Sequence, residues 1–459
     1  MMEISNDPLA VHLGQLFAAA GHQLFLVGGA VRDALLGHPQ ADLDFATDAL
    51  PEATLDLLST VEDAHPYRVG EQFGTVGARI GSRHVEITTY RSDEQYVTGS
   101  RKPSVQFGTT LLGDLTRRDF TVNAMGLDPL TGELIDPLGG RRDLLAGVLR
   151  AVGRPGERFH EDPLRLLRAV RFAARLGFSI EPLTWEAMQE QATTLFQISR
   201  ERIRDEYTRI LTGSNAAPGL TLLRASGLMD TSVPQLLELT RMADHGPRHP
   251  LSLWDHTLRV VQRVEPDLAL RWTALLHDIA KPETRTLEPD GRIRFFHHED
   301  RGAFMAREIL VGLRYPGKLV DAVSLLVETH MQIHAYHDDW SDGAVRRLLL
   351  RLGPLMPGAI DLSRADASGH SSDGTSWNAP KFGALTRRID ELEREPVEEM
   401  HSPLSGDDLM RRFELPPGAW IRSIKDALNE EVLEGRLRPH DREAAWKLAE
   451  ALAREAGIA

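Results

Sequence analysis

Two aspartates two positions apart, Asp42 and Asp44 in ADLDFAT, and a later glutamate, Glu86 in HVEITTYR, are the groups in this chain best placed to do chemistry together. Side chains alternate along a strand, so Asp42 and Asp44 project to one face while Leu43 and Phe45 turn into the core. Two anions held side by side call for a cation, and Mg²⁺ is usually held by one or two carboxylates plus substrate phosphates. Glu86, flanked by Val85 and Ile87 on the opposite face, supplies a third carboxylate of the kind that two-metal phosphoryl transfer requires. Upstream, Gly28-Gly29 in LVGGAVRDALLG lets backbone N–H groups approach an anion, with a helix start behind them. The pattern describes a metal-assisted phosphate site. The plainer alternative is a Gly-Gly turn followed by solvated aspartates, with Glu86 an exposed position on a half-buried sheet.

Two arginine-rich stretches could serve such a site. LTRRDFTVNAM carries Arg118, Asp119 and Asn123, groups able to clamp phosphate and bond ribose. HEDPLRLLRAVRFAARLG places Arg165, Arg168, Arg171 and Arg175 on one helical face, with Leu164, Leu167 and Val170 on the apolar side. Asp162 and Arg165 together offer the acceptor and donors that a base edge needs. Asp162 before Pro163 is equally a helix N-cap, with Glu161 favouring the helix dipole. A third group lies far downstream: His256, the pair His277-Asp278, His298, His330 and Asp366, with Lys281, His297 and His334 nearby. A histidine and an aspartate at the end of an apolar helix are costly unless something binds both, and a divalent metal would do so.

These groups must be positioned by a definite set of elements. The periodicity predicts strands at Gln23–Val27, Asp42–Phe45, Gly74–Ile80 and His84–Tyr90, and helices at Ala30–Leu36 and Pro51–Val61. Ser92–Phe107 is polar, with Gly99 and Pro103, and is predicted to be a loop carrying Arg101 and Lys102. DPLGGRRD (Asp136–Asp143) is a glycine turn closing this region. One strong helix is predicted over His160–Gly177. A second spans Ser199–Leu211, with Ile203, Tyr207 and Ile210 inward and its charges forming a solvated, self-paired face. The chain is helical from Val345, interrupted by a polar loop at Ser368–Ala379. A short C-terminal unit, Ser402–Ala459, ends in a helix Asp441–Glu455 and has no catalytic constellation.

The 459 residues exceed one ordinary core, and their 42% apolar and 26% charged content is that of a soluble globular protein. The absence of cysteine excludes disulfides and Cys-based metal sites, so any metal is held by His, Asp or Glu. A net charge of −14 argues against coating nucleic acid through the overall field, though not against a local basic groove. No run approaches a membrane span and no secretory signal is evident, so a cytoplasmic protein is expected.

In their order, LVGGAVRDALLG, DLDFAT, EITTYR, RRDFTVNAM, DPLGGRRD and EDPLRLLRAVRFAARLGF resemble the class II CCA-adding tRNA nucleotidyltransferase and bacterial poly(A) polymerase family, of the DNA polymerase beta superfamily. The resemblance implies that Asp42 and Asp44 bind catalytic Mg²⁺ with Glu86 as third carboxylate. It also implies that Gly28, Gly29, Arg32, Arg118, Asp119, Asn123 and Arg168 hold the nucleotide, and that Asp162 and Arg165 read its base. Residues 250 to 370 resemble an HD phosphohydrolase domain, with His256, His277, Asp278, His298, His330 and Asp366 as ligands of a second divalent metal. Poly(A) polymerases generally lack such a domain, which favours tRNA. Family members that add only the two cytidines lack the flexible loop that Ser92–Phe107 is expected to supply, so terminal adenosine addition is expected.

The expected fold is multidomain α+β: a mixed α/β nucleotidyltransferase head (1–140), an all-α neck (141–240), an HD domain (241–400) and a helical tail (401–459). The expected activity is template-independent addition of CCA, or its terminal A, to the tRNA 3′ end from CTP and ATP, with HD phosphohydrolysis beside it and no membrane partner. The rivals are an HD phosphodiesterase with the head as RNA-binding module, a poly(A) polymerase, and an RNA-binding protein whose carboxylates hold no metal.

Overall fold

The computed structural model describes residues 7–38, 42–69, 74–95, 104–108, 110–242, 251–369, 379–392 and 401–458. The chain divides into two units, Met1–Pro234 and Gln235–Ala459.

The first unit opens with α1 (Pro8–Ala19), β1 (Leu24–Val27), α2 (Gly29–Leu35), β2 (Asp42–Thr47) and α3 (Pro51–Ser59). Then come β3 (Ala64–Val69), β4 (Thr75–Ile80) and β5 (Arg83–Thr89), followed by β6 (Arg91–Gln95) and β7 (Ser104–Phe107). After α4 (Leu111–Thr116), β8 (Gly126–Leu127) and β9 (Leu134–Ile135) complete a seven-stranded sheet in the order β3-β4-β5-β2-β1-β8-β9. Within it β2 and β5 run parallel, and the other pairings are antiparallel. Leu43, Phe45, Val85 and Ile87 are buried on one face, while Asp42, Asp44 and Glu86 are exposed on the other. Each of those four apolar side chains stabilises the sheet by about 1.5–3 kcal/mol on burial, enough to hold the carboxylates in register.

The stretch expected to be a loop at Ser92–Phe107 instead begins and ends as strands, because β6 and β7 pair as an antiparallel ribbon. Arg101 and Lys102 lie outside the described residues.

The rest of this unit is mainly helical, with one short parallel strand pair, Val148–Leu149 with Ser179–Ile180; its helices include α5 (Gly140–Ala146), α6 (Pro155–Glu161), α7 (Leu164–Leu176), α8 (Pro182–Gln191) and α9 (Arg200–Leu211). The DPLGGRRD segment is more than a turn, since both Asp136 carboxylate oxygens accept from the Gly140 and Arg141 amides that start α5. The single helix expected over His160–Gly177 is two. Proline at 163 disfavours helical backbone at the residue before it, and Asp162 is extended (φ −144°, ψ 100°) between α6 and α7. Glu161 therefore ends α6 rather than favouring the start of α7, and it accepts from Arg158 and Arg165. Gly177, at φ +69°, closes α7 in the left-handed conformation that glycine adopts without strain.

In the second unit, helices Leu253–Arg263, Leu268–Leu276, His298–Gly312, Gly317–His334 and Met356–Gly369 supply one side-chain cluster after another to a common interior. The helix ending at Gly369 occupies the start of the loop expected at Ser368–Ala379, and residues 370–378 lie outside the described set. The tail is three helices, Gly406–Phe413, Ala419–Leu433 and Arg442–Glu455, around Leu409, Ile424, Leu428 and Ala449. No helix among the described residues is long and apolar enough to cross a membrane.

Candidate functional site

Asp44 and Glu86 are direct register partners across the parallel β2–β5 pair, and Asp42 lies two residues before Asp44 on the same face. Neighbouring strands are about 4.8 Å apart, so the three carboxyl groups share one patch of sheet, with Glu86 and Asp42 near enough to Asp44 to act on its charge. Burial, and next Glu86, push the Asp44 carboxyl up to about 6; Asp42 adds to the rise, while Arg118 and Arg32 oppose it. Asp44 keeps an accessible edge, and its burial is that of a group set against a pocket wall. Crowded anions with only oxygen donors are relieved by a hard divalent cation, so these residues fit one.

Asp44 opens into a cavity of about 750 Å³ whose walls include Gly28, Gly29, Phe172 and nine arginines. Arg165, Arg168, Arg171 and Arg175, all from α7, are among them. A cavity so rich in guanidinium, with Asp44, Asp119 and Asp162 as its acids, is suited to a polyanion. Gly28 has φ +68°, and a β-carbon there would sit 2.8 Å from Arg118 Nη1. The turn is thus bare backbone facing a guanidinium, as close approach by a phosphate requires.

The cations are held in place from behind. Arg32, itself buried, donates to the Asn123 side-chain oxygen, and Asn123 Nδ2 donates to Asp119 Oδ1 at 3.1 Å. Asp119 Oδ2 accepts from Arg168 Nε and Nη2 at 2.8 and 2.6 Å. This relay ties α2 to α7 through the short turn Thr121–Asn123. Arg32, Arg168 and Arg171 also surround the Phe172 ring at 5.2, 5.4 and 4.2 Å from its centre. Asp119 and Asn123 line the cavity with their hydrogen-bonding capacity already engaged by one another and by arginines.

Both carboxylate oxygens of Asp162 are engaged within the protein. Its Oδ1 accepts from the Leu164 amide at 3.1 Å, and its Oδ2 accepts from Arg202 Nη2 at 2.7 Å. Arg165 does not pair with it; its guanidinium bonds the backbone oxygens of Arg158 and Arg117 and the Glu161 carboxylate. Arg202 and Glu206 belong to α9, whose charges were expected to be a solvated, self-paired face. That expectation holds for Arg204 with Asp205 and is corrected for two residues: Arg202 lines the cavity, and Glu206 is buried against Arg171 at 2.6 Å. Their spacing from Ile203 and Tyr207, both fully inside, was the available signal, since Glu206 adjoins the apolar stripe.

In the second unit His256, His277, Asp278, His298, His330 and Asp366 converge, all buried. Two triads share Asp278: His256, His277 and Asp278, and Asp278, His298 and His330, each with ligand atoms within 4.8 Å of one another. The Nδ1 atoms of His298 and His330 lie 2.9 and 2.6 Å from the carbonyl oxygens of Phe295 and Val327. Carbonyls only accept, so both Nδ1 atoms carry hydrogen, and in the neutral rings the two Nε2 lone pairs face each other 3.2 Å apart. Burial pushes the His330 ring down to about 3, which keeps that lone pair open. His277 Nε2 is likewise buried and faces the shared carboxylate, 3.3 Å from Asp278 Oδ2. Facing lone pairs with a shared carboxylate fit a divalent metal. His334 Nε2 lies 2.8 Å from Asp366 Oδ2, and Lys281 Nζ 2.6 Å from Asp278 Oδ2, whereas the ring of His297 is exposed.

Three family models match successive stretches: the poly A polymerase head domain over residues 24–150, the model described as the probable RNA and SrmB-binding site of polymerase A over 177–239, and the HD domain over 248–368. The chain is 35% identical to the A-adding tRNA nucleotidyltransferase of Deinococcus radiodurans, over 88% of this chain and 90% of that protein. It is 33% identical to the CC-adding tRNA nucleotidyltransferase of Thermus thermophilus, over 92% and 93% respectively. Among solved structures it is similar to the Bacillus stearothermophilus CCA-adding enzyme in complex with CTP, with a TM-score of 0.72, 27% identity and 98% of both chains covered.

Proposed function

The chain belongs to the tRNA nucleotidyltransferase family, and from that premise we propose that it extends the tRNA 3′ end with CCA, or with its terminal A, from CTP and ATP. The 3′-hydroxyl attacks the α-phosphorus of the bound nucleotide, a phosphodiester bond forms, and pyrophosphate leaves. The observation that carries this reading is the register pairing of Asp44, which lines an arginine-rich cavity, with Glu86. Mg²⁺ held by Asp42, Asp44 and Glu86 would supply Lewis-acid activation of the hydroxyl and neutralise charge developing on the leaving group.

The chain's own residues do the rest. The bare Gly28–Gly29 turn admits the triphosphate, and Arg32, Arg118 and Arg168 hold it by charge-assisted hydrogen bonds. Asp119 and Asn123 act through Arg168 and Arg32. Asp162 and Arg165 present an acceptor and donors to the base, so that protein rather than a template strand selects it. The relatives carry A-adding and CC-adding names, so the number of nucleotides added is tested by end-sequencing of products from tRNA ending before CCA and after CC. Addition to both would support complete CCA synthesis. Addition only to the second would assign A-adding, and addition to neither would overturn the reading. Such a substrate places the reaction in the cytoplasm.

The buried histidine cluster favours a second activity, metal-dependent phosphohydrolysis, in the HD unit. Asp278 would serve both triads, and Lys281 would hold its Oδ2. Loss of phosphoester hydrolysis in His277→Ala, with nucleotide addition retained, is the expected outcome; hydrolysis unchanged in that variant would refute it.

A further inference from the structure

The geometry points to Asp114 as a positioning residue that orients Arg118, with Arg117, toward the polyphosphate of the incoming nucleotide. This rests on the nucleotidyl-transfer reading above and deepens it. Asp114 lies on α4, is 1% exposed, and is not part of the cavity wall, so it cannot itself touch a nucleotide. Its Oδ1 accepts from Arg117 Nε and Nη2 at 3.1 and 3.0 Å. Its Oδ2 accepts from Arg118 Nη2 and Nε at 2.9 and 3.3 Å. One buried carboxylate therefore grips two guanidiniums side-on.

That grip decides where Arg118 points. With Nε and Nη2 engaged by Asp114, the remaining nitrogen, Nη1, projects away from α4, 3.5 Å from the Asn123 carbonyl and against the bare backbone of Gly28. It arrives beside the one turn in the cavity that a phosphate can approach closely, and close enough to Asp44 to oppose the rise in that carboxyl's pKa. Two arginines adjacent in sequence repel one another. A single carboxylate between them removes that repulsion, yet one unit of positive charge remains for the ligand.

An arginine side chain loses rotamer freedom when it is fixed, and that loss is already made in the folded protein. The ligand then meets a preorganised donor. Burial pushes the Asp114 carboxyl up, but Arg118 and Arg117 outweigh it and hold the group below the usual carboxylate range, so it stays ionised in this role. Asp114 pairs with the Arg117 and Arg118 guanidiniums, whereas Arg165 beside the base meets this segment at the Arg117 backbone carbonyl, 3.1 Å from its Nη2, and a side-chain exchange at position 114 leaves that carbonyl in place. Its effect must be the same for CTP and ATP.

The test is steady-state kinetics of the full chain with tRNA, comparing wild type with Asp114→Asn, Asp114→Glu and Arg118→Lys, with thermal melting of each. Asp114→Asn is expected to raise KM for CTP and for ATP by one common factor of about tenfold. It should weaken inhibition by added pyrophosphate by that same factor and leave kcat within about twofold. Asp114→Glu should recover part of the loss, because its carboxylate can still pair. Arg118→Lys, which keeps the charge but loses the side-on pair, should reproduce the KM effect even if Asp114→Asn melts too low to assay. The inference is overturned if KM and pyrophosphate inhibition are unchanged, if kcat alone falls, or if the factors for CTP and ATP diverge. A wild type that incorporates neither nucleotide would instead overturn the reading beneath it.

Discussion

Asp44 and Glu86 face each other directly across two parallel strands, and neither belongs to the apolar core. Two carboxylates brought together by register, on strands whose buried residues alternate with them, are a local conflict that the fold maintains. Such conflicts are stable when a cation resolves them. Because both are exposed, Asp44→Asn and Glu86→Gln should fold and melt at or slightly above the wild-type temperature, while nucleotide incorporation falls at least about 100-fold, or roughly 2.7 kcal/mol in barrier. Labelled CTP and ATP incorporation, set beside melting curves, measures both.

Asp162 is held by Arg202 through one oxygen and caps α7 with the other. Arg202→Ala should leave α7 capped but let the carboxylate wander, changing the CTP-to-ATP preference by about tenfold with little loss of stability. Asp162→Ala should also lose about 1 kcal/mol of stability, the usual worth of a cap. Competition between the two nucleotides at a tRNA ending in CC distinguishes these outcomes, and an unaltered preference in both variants would remove Asp162 from base selection.

Asp119 is buried and raised in pKa by that burial, but Arg168, Asn123 and the Phe120 amide together outweigh it and leave the carboxyl lowered from 3.8. A carboxyl depressed in the folded state stabilises above its unfolded pKa, and the contribution is lost as pH falls through the folded one. Asp119→Asn should therefore cost about 2 kcal/mol near neutral pH, a charge-assisted hydrogen bond's worth. The gap to wild type should close as pH falls below the ordinary carboxylate range. Urea denaturation across that range tests the sign; a gap that widens at acid pH contradicts it.

Arg171 and Glu206 form a buried pair joining α7 to α9. Removing one partner leaves the other charge uncompensated, so Glu206→Ala should destabilise the first unit by about 3–5 kcal/mol. Replacing Arg209, which is largely exposed and also lies near Glu206 at 3.6 Å, should cost less than about 1 kcal/mol.

In the HD unit, a divalent metal at 100 times its dissociation constant should stabilise the protein by about 2.7 kcal/mol, and a chelator should abolish that gain. His298→Ala and His330→Ala should lose the metal-dependent part of the melting shift. A shift that survives in both variants would mean the ion binds elsewhere.

Much of this was legible in the residues because strand alternation is strict: Asp42, Asp44 and Glu86 had to share a face once Leu43, Phe45, Val85 and Ile87 were assigned to the core. Harder to see was anything set by long-range pairing. Nothing local to SRERIRDEYTRIL says that Arg202 and Glu206 reach back to Asp162 and Arg171, which are far away in sequence and meet them only once α7 and α9 pack. Asp114 was missed for the same reason that it matters: one acid ahead of two arginines looks like an ordinary helix-surface pairing until the side chain proves to be buried. The break at Asp162 was readable from Pro163, but the proline also suits the first turn of a helix, and the two rules place the boundary differently.

The most direct measurement is end-sequencing of a tRNA lacking its 3′ CCA after incubation with CTP, ATP and Mg²⁺, using wild type and the Asp42→Ala/Asp44→Ala double variant. For an enzyme completing CCA, the wild type is expected to add C, C and A in that order and the folded double variant nothing. Equal extension by both proteins would contradict the assignment of polymerisation to the carboxylates of the head.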